Sequence, residues 1–238
     1  MPLRPKLSLS DLDAIALVDA AIRNTGIFKQ VGLRLEKMAP DEQAAKNLIA
    51  AFHDKRCAPW CTAFLLGCIG HPAGYQTAKD ILLSQAGQLS ESYAGVAMAQ
   101  MRGVEAYDDL HQILLSDQNY ERSVREGAAY GMAHVAATEL PDDFLAAYDL
   151  ERLSLSIVSW EAAKCEPQDE WLLSVFNGNK PRHNQLFCAI VAYMVSSNSN
   201  PCFPGNQIAA AVQTLLKDES LFIPRRRRNQ LQTWLEAR

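Results

Sequence analysis

The stretch HDKRCAPWCTAFLLGCIGH, residues 53 to 71, sets two histidines and three cysteines within nineteen positions. Sulfur and imidazole at such spacing could hold zinc or run thiol redox chemistry. His53, Cys57 and Cys61 are four residues apart, and Cys68 follows seven later. On one helix, seven residues rise roughly 10 Å, too far for two sulfurs of one tetrahedral metal. Pro59 is placed to start a helix between Cys57 and Cys61. The expectation is packed cysteine, a small hydrophobe in cores, with only Cys57 and Cys61 able to meet. No C-x-x-C occurs. No metal and no cofactor is expected.

Other chemistry-bearing residues are sparse. G-x-S-x-G, the P-loop, H-E-x-x-H and the dinucleotide glycine fingerprint are all absent. His111 shares a helical face with Asp108 and Gln112, and no catalytic residue is assigned. Trp160-Glu161 and Trp171 are expected to anchor helices, because aromatics dominate cores. Four successive arginines, Arg225–Arg228, follow Pro224 at the start of a helix. They oppose its dipole, so local helix stability does not explain them.

The elements that must position these groups repeat. TAFLLGCIG (62–70), AGVAMAQMR (94–102) and AAYGMAHVA (128–136) align at offsets of 32 and 34 residues. Small residues recur at Thr62/Ala94/Ala128 and Ala63/Gly95/Ala129. Large apolar ones recur at Leu66/Met98/Met132 and Ile69/Met101/Val135. Positions i, i+1, i+4 and i+7 form one helical stripe, and small residues there let a neighbouring helix come close. A second periodic segment follows each block, at 73–84, 104–116 and 141–150. The unit is helix, turn, helix, about 33 residues long.

Val124-Arg125-Glu126-Gly127-Ala128-Ala129-Tyr130-Gly131-Met132-Ala133-His134-Val135 and Leu66-Gly67-Cys68-Ile69-Gly70 resemble the HEAT-like repeat family, whose pattern is roughly V-R-x-x-A-A-x-A-L-G-x-I-G. The first repeat has Ala58-Pro59 for Val-Arg, and the second lacks the arginine. The resemblance implies an all-α fold, an α-solenoid of about five or six helical hairpins in one domain, 1–238. The clearest repeats span 58–150, with divergent capping helices at 1–57 and 151–238. In the flanks, Ser10-Asp11-Leu12-Asp13 reads as a helix start with an acidic N3 residue, opening a helix to Arg23. Further helices are expected at 41–53, 150–164, 168–176, 184–195 and 205–216, the last two joined by the loop SSNSNPCFPG. A final helix carries Leu231, Trp234 and Leu235.

In this family the second helix of each pair generally lines the concave surface. On 104–116 the expected core stripe is Tyr107, Leu110, Ile113 and Leu114. That leaves Asp108, His111 and Gln112 outward. Gln76, Lys79 and Asp80 are equivalent one repeat earlier, and Asp142, Leu145 and Ala146 one later, with Asp109, Asp143 and Asp149 nearby. Between residues 139 and 170 nine acids face two bases, a balance of −7. The expected binding set is Lys79, Asp108, His111, Gln112, Asp142, Asp143 and Asp149, meeting a protein with a basic surface.

The function expected is a non-enzymatic protein-binding module, an immunity-type bacterial protein neutralising a toxin or nuclease-like partner. The alternatives are an enzyme resembling HEAT-like DNA glycosylases or phycobilin lyases, or a scaffold protein. Diiron hydroxylases on such repeats use His-Glu dipeptides, and this chain has none. The net charge of −4 disfavours a general nucleic-acid binder. Asp11, Asp13 and Asp19 interrupt any secretory signal core. The apolar run near Leu186–Val195 is too short to cross a bilayer. A cytoplasmic protein with free thiols is expected.

Overall fold

The computed structural model describes residues 8–135, 140–177, 180–197 and 204–238. Among them the regular structure is all helical, with no strand. None of the described helices is long and apolar enough to cross a membrane. The chain divides into two compact units, Met1–Ala137 and Thr138–Arg238.

The first unit opens with α1, Ala14–Arg23. Its cap is Asp13, whose Oδ1 accepts from Ala16 N at 2.8 Å. The start expected at Ser10 is instead one 3-10 turn, Leu9–Asp11, which Ser8 caps. Two short polar side chains compete here, and Asp13 wins because Ala14, Leu17, Val18 and Ala21 follow it as one buried stripe. A short helix, α2, Phe28–Leu35, was not foreseen. It packs on α4, and its Gly32 lies where a Cβ would strike the Phe64 ring.

Helix α3, Glu42–His53, is capped by Asp41. Helix α4, Pro59–Ile69, begins on Pro59 as expected and stops at Gly70, whose φ of 68° favours glycine. It is buried nearly all round, because α2 and α6 both pack on it. The unit continues with α5 (Tyr75–Leu83), α6 (Gln88–Arg102), α7 (Tyr107–Leu115) and α8 (Arg122–Met132). Helix α4 packs on α6, and α6 on α8, while α5 and α7 fold back on the helices that follow them.

The α6–α8 contact is backbone to backbone. A Cβ on Gly95 would lie 1.8 Å from the Gly127 carbonyl oxygen, and one on Gly131 would lie 2.4 Å from that of Gly95. The small residue at Gly95 in its repeat column thus has a structural reason, and Gly127 and Gly131, outside those columns, complete the seam.

The second unit holds α9 (Leu140–Asp149), α10 (Leu155–Lys164), α11 (Asp169–Asn177), α12 (Pro181–Ser197), α13 (Asn206–Lys217) and α14 (Arg225–Glu236). Helix α12 is the central one, packed on α10, α11 and α14, and its run from Leu186 to Ala192 is buried. That explains the longest apolar stretch of the sequence. Residues 198–203 of the expected SSNSNPCFPG loop lie outside the described residues, as does Glu139.

Within each unit, tertiary hydrogen bonds recur at one spacing. Tyr75 to Asp109, Tyr148 to Arg182, Asp149 to His183 and Tyr193 to Arg227 are each 34 residues apart. Arginines also close helix ends. Arg125 of α8 donates to the carbonyls of Ile113, Leu114, Ser116 and Gln118 at the end of α7. Arg228 of α14 donates to Leu216 O in α13 at 2.7 Å, twelve residues back, as Arg125 does to Ile113. Arg182 of α12 donates to Tyr148 O in α9. The final carbonyls of a helix lack intrahelical donors, and a cation near them is doubly favoured.

Candidate functional site

The cysteine stretch divides as its spacing implies. Cys57 precedes the Ala58 cap of α4, Cys61 lies one turn inside, and both are buried. The neighbouring Cys61 thiol holds Cys57 down to about 7 against the opposing effect of burial, and Cys57, with burial, pushes Cys61 up. Cys68 donates instead to Glu36 at 3.5 Å. Burial, then the Glu36 carboxylate, push it up to about 12. His53 is exposed, and His71 accepts from Ala73 N in a turn. Among the described residues no three of His, Cys, Asp or Glu are placed to hold a metal ion.

On the second helices of the first unit, polar groups form a ridge. Asp109 on α7 lies between two side chains of α5. Lys79 Nζ reaches its Oδ1 at 2.8 Å, and the Tyr75 hydroxyl donates to its Oδ2 at 2.8 Å. The Arg102 guanidinium sits 4.0 Å above the Tyr75 ring. Lys79, then Tyr75, hold the Asp109 carboxyl below its ordinary 3.8 against the opposing effect of burial. Burial and Asp109 push the Tyr75 phenol up. Lys79 is therefore half-buried and engaged within the chain.

Asp108 and Gln112 are exposed beside this network, with Gln76 and Asp80 on α5. Tyr107 was expected in the core. It is half-buried, because its ring stacks on His111 at 5.5 Å and 27° along the helix surface. Leu110, Ile113 and Leu114 are buried as their spacing predicts.

A stability effect follows with a defined sign. Asp109 is depressed in the folded state, so its contribution is present above pH 3.8 and lost as pH falls through the folded value. Because the pair is about a third exposed, Asp109→Asn is expected to cost only about 1 kcal/mol near neutral pH. In pH-dependent urea melts the cost should vanish at the acid end. Parallel curves for parent and variant across the acid limb would remove the assignment.

The acids of α9 belong to the second unit. Asp142 is exposed and accepts from Trp171 Nε1 at 2.8 Å. Asp143 is half-buried. Asp149 is exposed, with one oxygen 2.7 Å from Nε2 of the buried His183. Arg182 bonds Glu151 at 2.8 Å. The seven expected residues thus fall in three groups: Asp108, His111 and Gln112 on α7, Lys79 facing Asp109, and the three aspartates on α9.

Sequence reasoning did not find the pocket of about 200 Å³ between α10, α12 and α14, lined by Trp160, Tyr193, Ser196, Arg226, Arg227 and Gln230. Trp160 is 46% exposed, so it does not anchor a core as expected. It meets Tyr193 edge to face at 5.1 Å. Arg227 lies over the Tyr193 ring at 5.3 Å and reaches its hydroxyl at 3.4 Å. Glu161 is buried and bound to Lys164 at 3.0 Å, and Trp171 bonds Asp142, so neither belongs to this pocket. Stepping one repeat length from Trp160 leads to Tyr193 and then Arg227, a signal present in the sequence.

No family model, curated protein or solved structure matches the chain.

Proposed function

We propose that the chain is a HEAT-like α-solenoid of about five or six hairpins that binds another protein with a basic surface through its second helices. Three features support the repeat reading. Helices pack on the element two positions further along, tertiary bonds recur 34 residues apart, and arginines close the ends of α7, α9 and α13. Each repeat of such a stack buries its apolar face only against its neighbours.

The observation that carries the binding reading is the ridge on α5 and α7. Asp109 ties the two helices together through Tyr75 and Lys79, which fixes the spacing of the exposed Asp80, Asp108 and Gln112. Fixed acidic groups lower the ordering cost of meeting a cationic surface and speed the encounter. A basic nuclease-like toxin is the partner class this charge fits, with the chain as its immunity protein.

The test uses cross-linking in the native host to find the partner, then titration of the purified pair. Asp80→Lys with Asp108→Lys is expected to weaken binding by on the order of tenfold, chiefly through slower association. Unchanged affinity in that double variant, at low and at physiological salt, would falsify the acidic-ridge mechanism.

A further inference from the structure

We infer that the pocket between α10, α12 and α14 binds a nucleoside phosphate unit, with the base against Trp160 and the phosphate on Arg226 and Arg227. The pocket is separate from the acidic ridge, and its ligand has the opposite charge from the partner proposed there.

Charge points to an anion. Arg225–Arg228 fill the first turn of α14, where the helix dipole is already positive. Arg228 is accounted for by Leu216 O. Arg227 rests on Tyr193, and Arg226 lines the pocket exposed. Among the described residues no carboxylate pairs with Arg225, Arg226 or Arg227. Guanidinium groups match phosphate oxygens in geometry and charge, and the free N–H groups of the helix start add the same sign.

The aromatic groups point to a planar ring. Trp160 is the exposed wall, held edge to face by Tyr193 and approached by Lys164 at 5.2 Å. No second ring is stacked flat on it among the described residues. An indole in that setting offers a surface on which any base can stack.

The remaining polar groups favour a base over a phosphotyrosine ring. Gln230 has no hydrogen-bond partner among the described residues, and Ser196 donates to Tyr193 O while keeping its acceptor lone pairs. A base edge presents both donors and acceptors, and a phosphotyrosine ring presents neither. A volume of about 200 Å³ suits one ring-bearing unit with part of the ligand outside.

The unit could come from a free nucleotide or from single-stranded nucleic acid, and the experiment separates them. The intact protein is titrated with AMP, a short oligodeoxyadenylate, adenosine, inorganic phosphate and phosphotyrosine, by calorimetry and tryptophan fluorescence. AMP, the oligonucleotide, or both should quench emission, and Trp160→Phe should remove the quenching. Binding of AMP alone assigns a free nucleotide; tighter binding of the oligonucleotide assigns a nucleic-acid strand. Arg226 makes no bond within the described residues, so Arg226→Ala should fold like the parent and weaken binding about tenfold. The inference fails if Arg226→Ala binds unchanged or if inorganic phosphate binds as well as AMP. It also fails if phosphotyrosine competes better than AMP, or if neither AMP nor the oligonucleotide binds at up to about 10 mM.

Discussion

Replacing Gly95 with alanine is expected to destabilise the first unit by about 3 kcal/mol, although alanine is the better helix former by about 1 kcal/mol. The new methyl group would sit 1.8 Å from the Gly127 carbonyl oxygen and 2.7 Å from its carbonyl carbon. Backbone cannot rotate aside as a side chain can. Helices α6 and α8 would have to separate, and Leu82 and Leu110, which reach this contact, would lose packing. Thermal melts should show Tm lower by roughly 10 °C. Gly127→Ala and Gly131→Ala should behave alike, since each meets backbone across the same seam. Gly87→Ala is the contrast. Its Cβ would meet nothing within 4 Å, so only its φ of 111° resists, at about 1 kcal/mol. A Gly95→Ala protein melting within about 2 °C of the parent would show that the seam can open cheaply, against the packing argument.

The same seam shows what the sequence could and could not reveal. Columns of small residues marked a close helix approach, because a missing side chain has few other uses at a buried helical position. They did not show that Gly95 faces Gly127 and Gly131, since crossing register depends on tertiary packing. Longer helices with a clear start signal and a four-residue stripe were legible, as Asp41 at a cap and Pro59 in a first turn illustrate. Helix α2 was not, because eight residues with Gly32 among them carry too little periodicity. Its glycine serves Phe64 of another helix.

Site residues divide along the same line. The exposure of Asp108 and Gln112 followed from helical spacing alone. The engagement of Lys79, Asp142 and Asp149 did not, because Asp109, Trp171 and His183 lie 29 to 34 residues away. The arginine run was visible as a conflict with the helix dipole. Its resolution lies in tertiary contacts, since Arg228 serves α13 while Arg226 and Arg227 border the Trp160 pocket.

Arg125→Ala is expected to cost the first unit about 3 kcal/mol, for a reason unrelated to side-chain volume. Arg125 is 6% exposed and donates to four carbonyls, the shortest bonds being 2.6 Å to Leu114 and 2.5 Å to Gln118. Two of those acceptors, Ile113 and Leu114, belong to buried residues of α7. Removing the guanidinium would leave the end of α7 short of donors, with water poorly able to replace a buried fork. Arg125→Lys should recover less than half of the loss, because one ammonium cannot span four acceptors as the planar group does. Arg228→Ala makes the comparison quantitative. It removes one bond of 2.7 Å at a half-buried site on α14, and about 1 kcal/mol is expected. If urea melts of the two alanine variants gave equal losses, the number and burial of the carbonyls held by each arginine would not set its value. If Arg125→Lys matched the parent, charge alone would suffice, and the forked geometry of the V-R position would carry no stability of its own.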